Sequence, residues 1–321
     1  MGELTIAAGG TTASITRRGA MTTGRFSLGG RTVEPLYVAG WPGFPEDRLL
    51  DRLRGDFPCV PFGITPAAPL PGWPQGEPAP ASWPTATPAM PTGRSWSGRT
   101  TGWSSPSPTR RRPRRAVDPR GHLQRGGDRV RGPGPDPGGH RAPAGAAPDL
   151  PTARPRRGAT LELPAARWIE SSAAAPEPTS RLLPGQRFDD AVSAPAVGGG
   201  TVDLSRLPWD SRSEDLVLLV DVAPTGFAIV NHDEGYRARL TWDTSVLNHL
   251  MLWLSQRGRD YAPWGGTNLC VGVEPVTAAF DYGTSVSGQP NPLTASGAAT
   301  AVNLTAGEEL VFRHAISVEE A

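Results

Sequence analysis

Asp215-Leu216-Val217-Leu218-Leu219-Val220-Asp221 is an unbroken apolar run bounded by carboxylates, the length and composition of a strand buried on both faces. Gly226-Phe227-Ala228-Ile229-Val230 follows after a turn, and Tyr236-Arg237-Ala238-Arg239-Leu240-Thr241-Trp242 then alternates apolar with polar, so one of its faces packs inward and the other meets water. Upstream, Thr160-Leu161-Glu162-Leu163 alternates in the same way, and downstream Leu269 to Val273 and Glu309 to Ser317 add further strand signals. The run from Val246 to Leu254 could be helical by composition, but its length and the flanking Gly258 fit a buried strand, which is the expectation taken here. Near the N-terminus, Leu4 to Ala8, Ala13 to Thr16, Phe26 to Leu28 and Thr32 to Val38 read as short strands between glycine turns. Arg54 to Gly63 interleaves apolar residues with prolines, which suits an irregular edge rather than a central strand. Many short strands with turns between them predict an all-β chain built as a sandwich.

The totals narrow the function classes. A chain of 321 residues can bury a large core. Its net charge of +1 argues against a uniformly basic nucleic-acid protein. Cys59 and Cys270 lie far apart with no metal-ligand spacing, so buried free thiols are expected, with no metal and no cofactor. The opening residues lack the pattern of a secretory leader and no apolar run approaches the length of a membrane span, so no membrane partner is expected and a cytoplasmic location is the default.

Composition divides the chain into 1–77, 78–157 and 158–321. The middle segment has no Ile, Phe, Tyr, Glu or Asn, and its arginines crowd around Arg110-Arg111-Arg112-Pro113-Arg114-Arg115. Too few apolar groups remain there to offset an ordering entropy of about 1–2 kcal/mol per residue, so disorder is predicted. A nucleic-acid grip by the arginines is a rival reading, but no aromatic interleaving accompanies them, and no nucleic-acid partner is expected.

The stretch from Leu252 to Trp264, followed by Val271-Gly272-Val273-Glu274-Pro275-Val276-Thr277-Ala278-Ala279-Phe280-Asp281 and by Asn291-Pro292-Leu293 and Leu304 to Glu308, resembles the C-terminal signature of the aldose 1-epimerase (galactose mutarotase-like) superfamily. The resemblance covers 158–318 and, more weakly, the first 63 residues. It implies a large galactose mutarotase-like β-sandwich, incomplete and disordered in the middle, acting on a monosaccharide or related sugar. A glutamate would take the proton of the anomeric hydroxyl while a histidine protonates the ring oxygen, and ring opening and reclosure would interconvert the anomers. Glu274 matches the glutamate. Asp215 stands about where the family holds a carboxylate on sugar hydroxyls, and Trp264 is a candidate stacking platform. His249, inside the apolar run, is expected to be a packed, hydrogen-bonded histidine, and His232 a turn residue. A non-catalytic sugar-binding protein on the same fold is the alternative, and Arg257 and Arg259 are the nearby candidates if a sugar phosphate is used. The oligomeric state is left open.

The family's histidine, in a His-Pro-x-Phe-like strand, should precede Gly158, and no such motif is present. Arg131 to Ala153 read RGPGPDPGGHRAPAGAAPDLPTA. A GC-rich set of codons for these residues, started one nucleotide later, reads ADPDLTLAVTARLPGLHPTFRLP, an alternating strand and then His-Pro-Thr-Phe. Ala86 to Gly98, read two nucleotides later, can give DPGYAHGPVMER, which resembles the family's earlier His-Gly element. Arginine supplies all 32 cationic side chains of the Lys and Arg type, as a GC-rich gene would have it. The middle segment is therefore read as a frameshifted stretch of an ordinary epimerase gene, and the chain as written is expected to have little or no mutarotase activity.

Overall fold

The computed structural model describes residues 3–76 and 158–321, except positions 18, 48, 209 and 210, together with the backbone of five short strands between 116 and 151. Short strands joined by tight turns build two large antiparallel sheets and three two-stranded ones. The larger, of 11 strands, runs in the order Glu3–Ala8 (β1), Thr11–Thr16 (β2), Thr22–Leu28 (β3), Asp56–Cys59 (β5), Ala144–Pro151 (β6), Leu269–Thr277 (β11), His249–Gln256 (β10), Ser213–Val220 (β9), Trp168–Ser171 (β7) and Arg187–Phe188 (β8), with Arg31–Val33 (β4) beside β3. The smaller, of 7 strands, is built around Ala159–Glu162, Phe227–Asn231, Tyr236–Trp242 and His314–Glu320.

The period-two alternation of side chains decides what each strand buries. From β9, β10 and β11, Val217, Leu219, Leu250, Leu252, Val271 and Val273 point between the sheets, where they meet Phe227, Ile229, Ala238, Leu240 and Ile316, all at 2 % exposure or less. The opposite face of the large sheet is not left to water. Leu216, Leu218, Met251 and Val276 join a second core, closed over by Tyr37, Trp264, Phe280 and Tyr282 from connecting segments. A strand covered on both faces cannot show the in-out pattern of a half-exposed one, which is why β9 and β10 read as continuous apolar runs.

The Val246 to Leu254 run forms the strand His249–Gln256, as its length and Gly258 suggested. The Thr32 to Val38 stretch contributes only Arg31–Val33. Trp168–Ser171 was not anticipated, since four buried residues carry no periodicity to read. The expectation of an edge at Arg54 to Gly63 is corrected: Asp56–Cys59 is fully buried between β3 and β6. Its ladder to β3 extends over the single pair Thr22↔Asp56, so a proline at position 58 disturbs little pairing on that side. The disorder expected for 78–157 falls mostly outside the described residues. Within that span the backbone of β6 is a strand of the large sheet, paired on both edges.

Gly55 sits at the bend that brings β5 beside β3. Its φ is +59°, and an added Cβ would lie 1.9 Å from the Thr22 carbonyl oxygen. Gly198 has φ +85° with open space around it. Gly55→Ala is expected to cost about 2 kcal/mol or more in urea denaturation, through clash added to backbone strain, whereas Gly198→Ala should cost about 1 kcal/mol.

Candidate functional site

β11 carries Glu274 at its centre, and the alternation that sends Val271 and Val273 between the sheets turns Glu274 to the opposite face, with Gly272 and Val276 as its same-face neighbours along the strand. Glu274 itself is 9 % exposed, so its carboxyl is held in a largely dry setting.

Across the sheet Glu274 lies in a row set by register. Met251 is its direct partner on β10, Leu218 follows on β9, then Glu170 on β7 and Arg187 on β8. On the other side, β6 pairs Gly145 with Val276 and Asp149 with Gly272, which brings position 147 opposite Glu274, and Phe57 pairs with position 147 from β5. Glu170 closes the far end of the row. Its Oε2 accepts from Trp168 Nε1 at 3.1 Å and from Arg187 Nε at 2.8 Å, and the Arg187 and Arg167 guanidiniums lie 4.5 and 4.9 Å from the Trp168 ring.

One end of this face is fixed by a buried carboxylate that the sequence reading did not single out. Glu214, fully buried, accepts from Trp253 Nε1 at 2.8 Å, Ser255 Oγ at 2.7 Å and the Gly258 N–H at 3.1 Å. Burial pushes its pKa up, and those three donors and Arg259 pull it back. Ser255 in turn accepts from Asn268, which accepts from the Tyr37 hydroxyl, so the 37–55 crossing is tied to β10 and β11 by a continuous polar chain. A signal for Glu214 did exist: a second carboxylate adjoining Asp215 at the head of an apolar run must be paired once the run is buried.

Trp264 lies on the Glu274 side of the sheet, but it is 3 % exposed, with Trp41 and Trp253 set edge-on at 4.9 and 5.5 Å and the Arg259 guanidinium 4.9 Å from its ring. It offers no open face to a sugar. Asp215 is on the other side altogether. It shares a face with Val217 and Leu219, and its oxygens accept from Ser180 Oγ, the Arg181 N–H, and Arg181 Nε and Nη2 at 2.8 to 3.1 Å. Strand parity turns Asp215 away from Glu274, and Arg181 occupies its carboxylate. Arg259 is likewise engaged, 3.2 Å from Glu177 and 3.6 Å from Glu214. Cys59 and Cys270 are free and buried. Among the described residues no cluster of His, Cys, Asp and Glu could hold a metal, and no helix is long and apolar enough to cross a membrane. A groove of about 290 Å³ opens at the β2–β3 end of the sheet, lined by the hydroxyls of Thr12, Ser14 and Thr23 and by the Arg25–Glu34 ion pair.

His249 faces the same way as Glu274 but is sealed in the second core. Its Nδ1 accepts from the Asp221 N–H at 3.0 Å, and burial lowers its pKa from 6.5 to about 4 despite the nearby Asp221 carboxylate, so it is a neutral, packed histidine at neutral pH. A base whose folded pKa is depressed takes up its proton only on unfolding between the two values, so its contribution to stability is complete above about 6.5 and is lost as pH falls toward about 4. Thermal melts at pH 7 and pH 4.5 should therefore show a smaller acid-induced loss in His249→Leu than in the parent chain.

No protein-family model matches the chain, and no curated protein resembles it in sequence. Solved structures do resemble it. An Escherichia coli K12 protein named as a candidate aldose 1-epimerase superposes with a TM-score of 0.56 at 13% identity, covering 100% of this chain and 99% of its own. A galactose mutarotase-like protein from Lactobacillus casei gives 0.51 at 14% identity, covering 100% of both chains. A Synechocystis sp. PCC 6803 protein gives 0.55 at 11% identity, covering 100% of this chain and 96% of its own. At such identities the likeness is one of architecture, and on that ground the chain has the galactose mutarotase-like β-sandwich fold.

Proposed function

We propose that the chain is an aldose 1-epimerase-like protein whose site is the face of the large sheet around Glu274, and whose own turnover is crippled because the family's His-Pro-x-Phe histidine is absent from its sequence. The observation that carries this reading is a nearly buried glutamate at the centre of a mutarotase-like sheet. A carboxylate in such a setting can accept the proton of a sugar's anomeric hydroxyl. The electron pair left on that oxygen forms the aldehyde carbonyl as the bond from the anomeric carbon to the ring oxygen breaks. The ring oxygen must then take up a proton from a second group, and reclosure after rotation gives the other anomer. General acid-base groups of this kind contribute typically about 10²–10⁴-fold each.

Three described residues of this face are ill suited to serve as the acid. His249 is neutral and sealed, Glu214 is held by three donors, and Trp264 is packed. The same facts support the alternative of a non-catalytic carbohydrate-binding protein on this fold. A sugar phosphate finds little support, because Arg259 is already paired. Two free, buried cysteines accord with a reducing, cytoplasmic setting.

Polarimetry of freshly dissolved α-glucose and α-galactose separates these readings. The purified chain should equilibrate the anomers about 10²–10⁴-fold more slowly than an intact epimerase of this fold, with what activity remains lost in Glu274→Gln. Sugar binding in saturation-transfer NMR with no rate above the Glu274→Gln background would favour the binding protein. A rate equal to that of an intact enzyme would refute the missing-acid reading.

A further inference from the structure

We propose that the groove over β2 and β3 is a second carbohydrate site, one that holds a sugar ring by its hydroxyls and performs no chemistry on it. The ladder builds its floor. Thr12↔Arg25 and Ser14↔Thr23 are direct pairs, and Ala13 between them packs into the core between the sheets, so Thr12, Ser14, Thr23 and Arg25 all face the other way. Glu34, Leu36 and Val38, from the stretch that leaves β4, and Arg54, bridged to Val38, complete a space of about 290 Å³. Three hydroxyls therefore converge on one space, and among the described residues none of them is bonded to the protein.

The lining selects the ligand. A sugar hydroxyl both donates and accepts, and so do the hydroxyls of Thr12, Ser14 and Thr23. The Arg25–Glu34 ion pair, at 2.7 Å and with both side chains more than half exposed, adds guanidinium donors and a carboxylate acceptor. Glu34 beside Arg25 tells against an anion, and Leu36 and Val38 alone give too little apolar surface for a hydrophobic ligand. They offer contact to the C–H groups of one ring. With a single carboxylate and no histidine or cysteine, the groove is a poor metal site. No aromatic ring lines it, so affinity is weak, with a Kd of about 1–10 mM. The groove is also distinct from the Glu274 site. Phe26, in the core between the sheets, sets the parity of β3, so Thr23 and Arg25 lie on the side that Glu274 faces. Yet β5 and β6 stand between β3 and β11, and three strand spacings put the two sites about 14 Å or more apart, with Phe57 of the second core between them.

Methyl α-glucopyranoside tests this, because its blocked anomeric oxygen makes it inert to any epimerase chemistry at Glu274. In amide NMR spectra of the full chain, Thr12, Ser14 and Thr23 should shift on addition of the glycoside and saturate with a Kd of about 1–10 mM. Thr23→Val keeps the branching and strand preference of the side chain and removes its hydroxyl, so it should weaken binding about 3–10-fold with an unchanged melting point. Ser14→Ala, a smaller change, should weaken it likewise, and Thr23→Ser should bind like the parent. Glu274→Gln should leave the Kd where it was, whatever polarimetry shows of mutarotation, so the groove and the epimerase reading succeed or fail separately. Shifts confined to other residues, no shift at about 100 mM glycoside, or an equal Kd in the parent, Thr23→Val and Ser14→Ala would each overturn the proposal.

Discussion

Everything in the large sheet depends on the antiparallel ladder that joins β9, β10 and β11, because its register determines which residues share a face. The pairs Met251↔Glu274 and Leu218↔Met251 put a carboxylate in line with two buried apolar side chains, and the neighbouring residues on each strand are sent to the opposite side. With a side-chain period of two, no intermediate arrangement exists: a slip of one residue would drive Glu274 into the apolar layer between the sheets and turn Val273 toward the second core. Val217, Leu252 and Val273, at 0 % exposure, line that layer, and a carboxylate brought into it without a partner makes the slip costly. The core thus fixes the direction of the carboxylate.

A second constraint acts at the end of the ladder. Glu214 occupies the head of β9 on the same face as Leu216, and a carboxylate so deeply buried persists only if its oxygens are satisfied. Trp253, Ser255 and Gly258 satisfy them, and Arg259 lies over the two tryptophan rings while reaching both Glu214 and Glu177. Residues that might be taken for a sugar-binding set, two tryptophans, an arginine and a glutamate, are here consumed in holding one corner of the sheet together. The Glu274 row stands apart from that corner, four residues further along β10 and β11 than the Ser255↔Cys270 pair.

That division explains how the sequence could be read and where it misled. The apolar run at 216–220 and the alternation at 236–242 announced strands because hydrophobic periodicity is a local property, set by which face of a strand meets the core. Val246 to Leu254 kept its strand character for the same reason. Asp56–Cys59 went the other way: its prolines argued for an edge, yet a ladder of one residue pair toward β3 let it sit inside the sheet. Trp168–Ser171 gave no signal, since four buried residues have no pattern to detect.

The candidate site was legible only in part. Glu274 could be named because Gly-x-Glu-Pro is contiguous, and the packed state of His249 could be anticipated because it stood within an apolar run. The sequence by itself determined an all-β chain, the identity of its central glutamate and the abrupt change of composition at 78–157. Tertiary structure alone decided that Asp215 looks away from that glutamate, that Trp264 is packed among rings and a guanidinium, and that position 147 is Glu274's partner. Faces and partners of strands are set by pairing between segments far apart in the chain, and that pairing leaves no trace in the order of residues along either one.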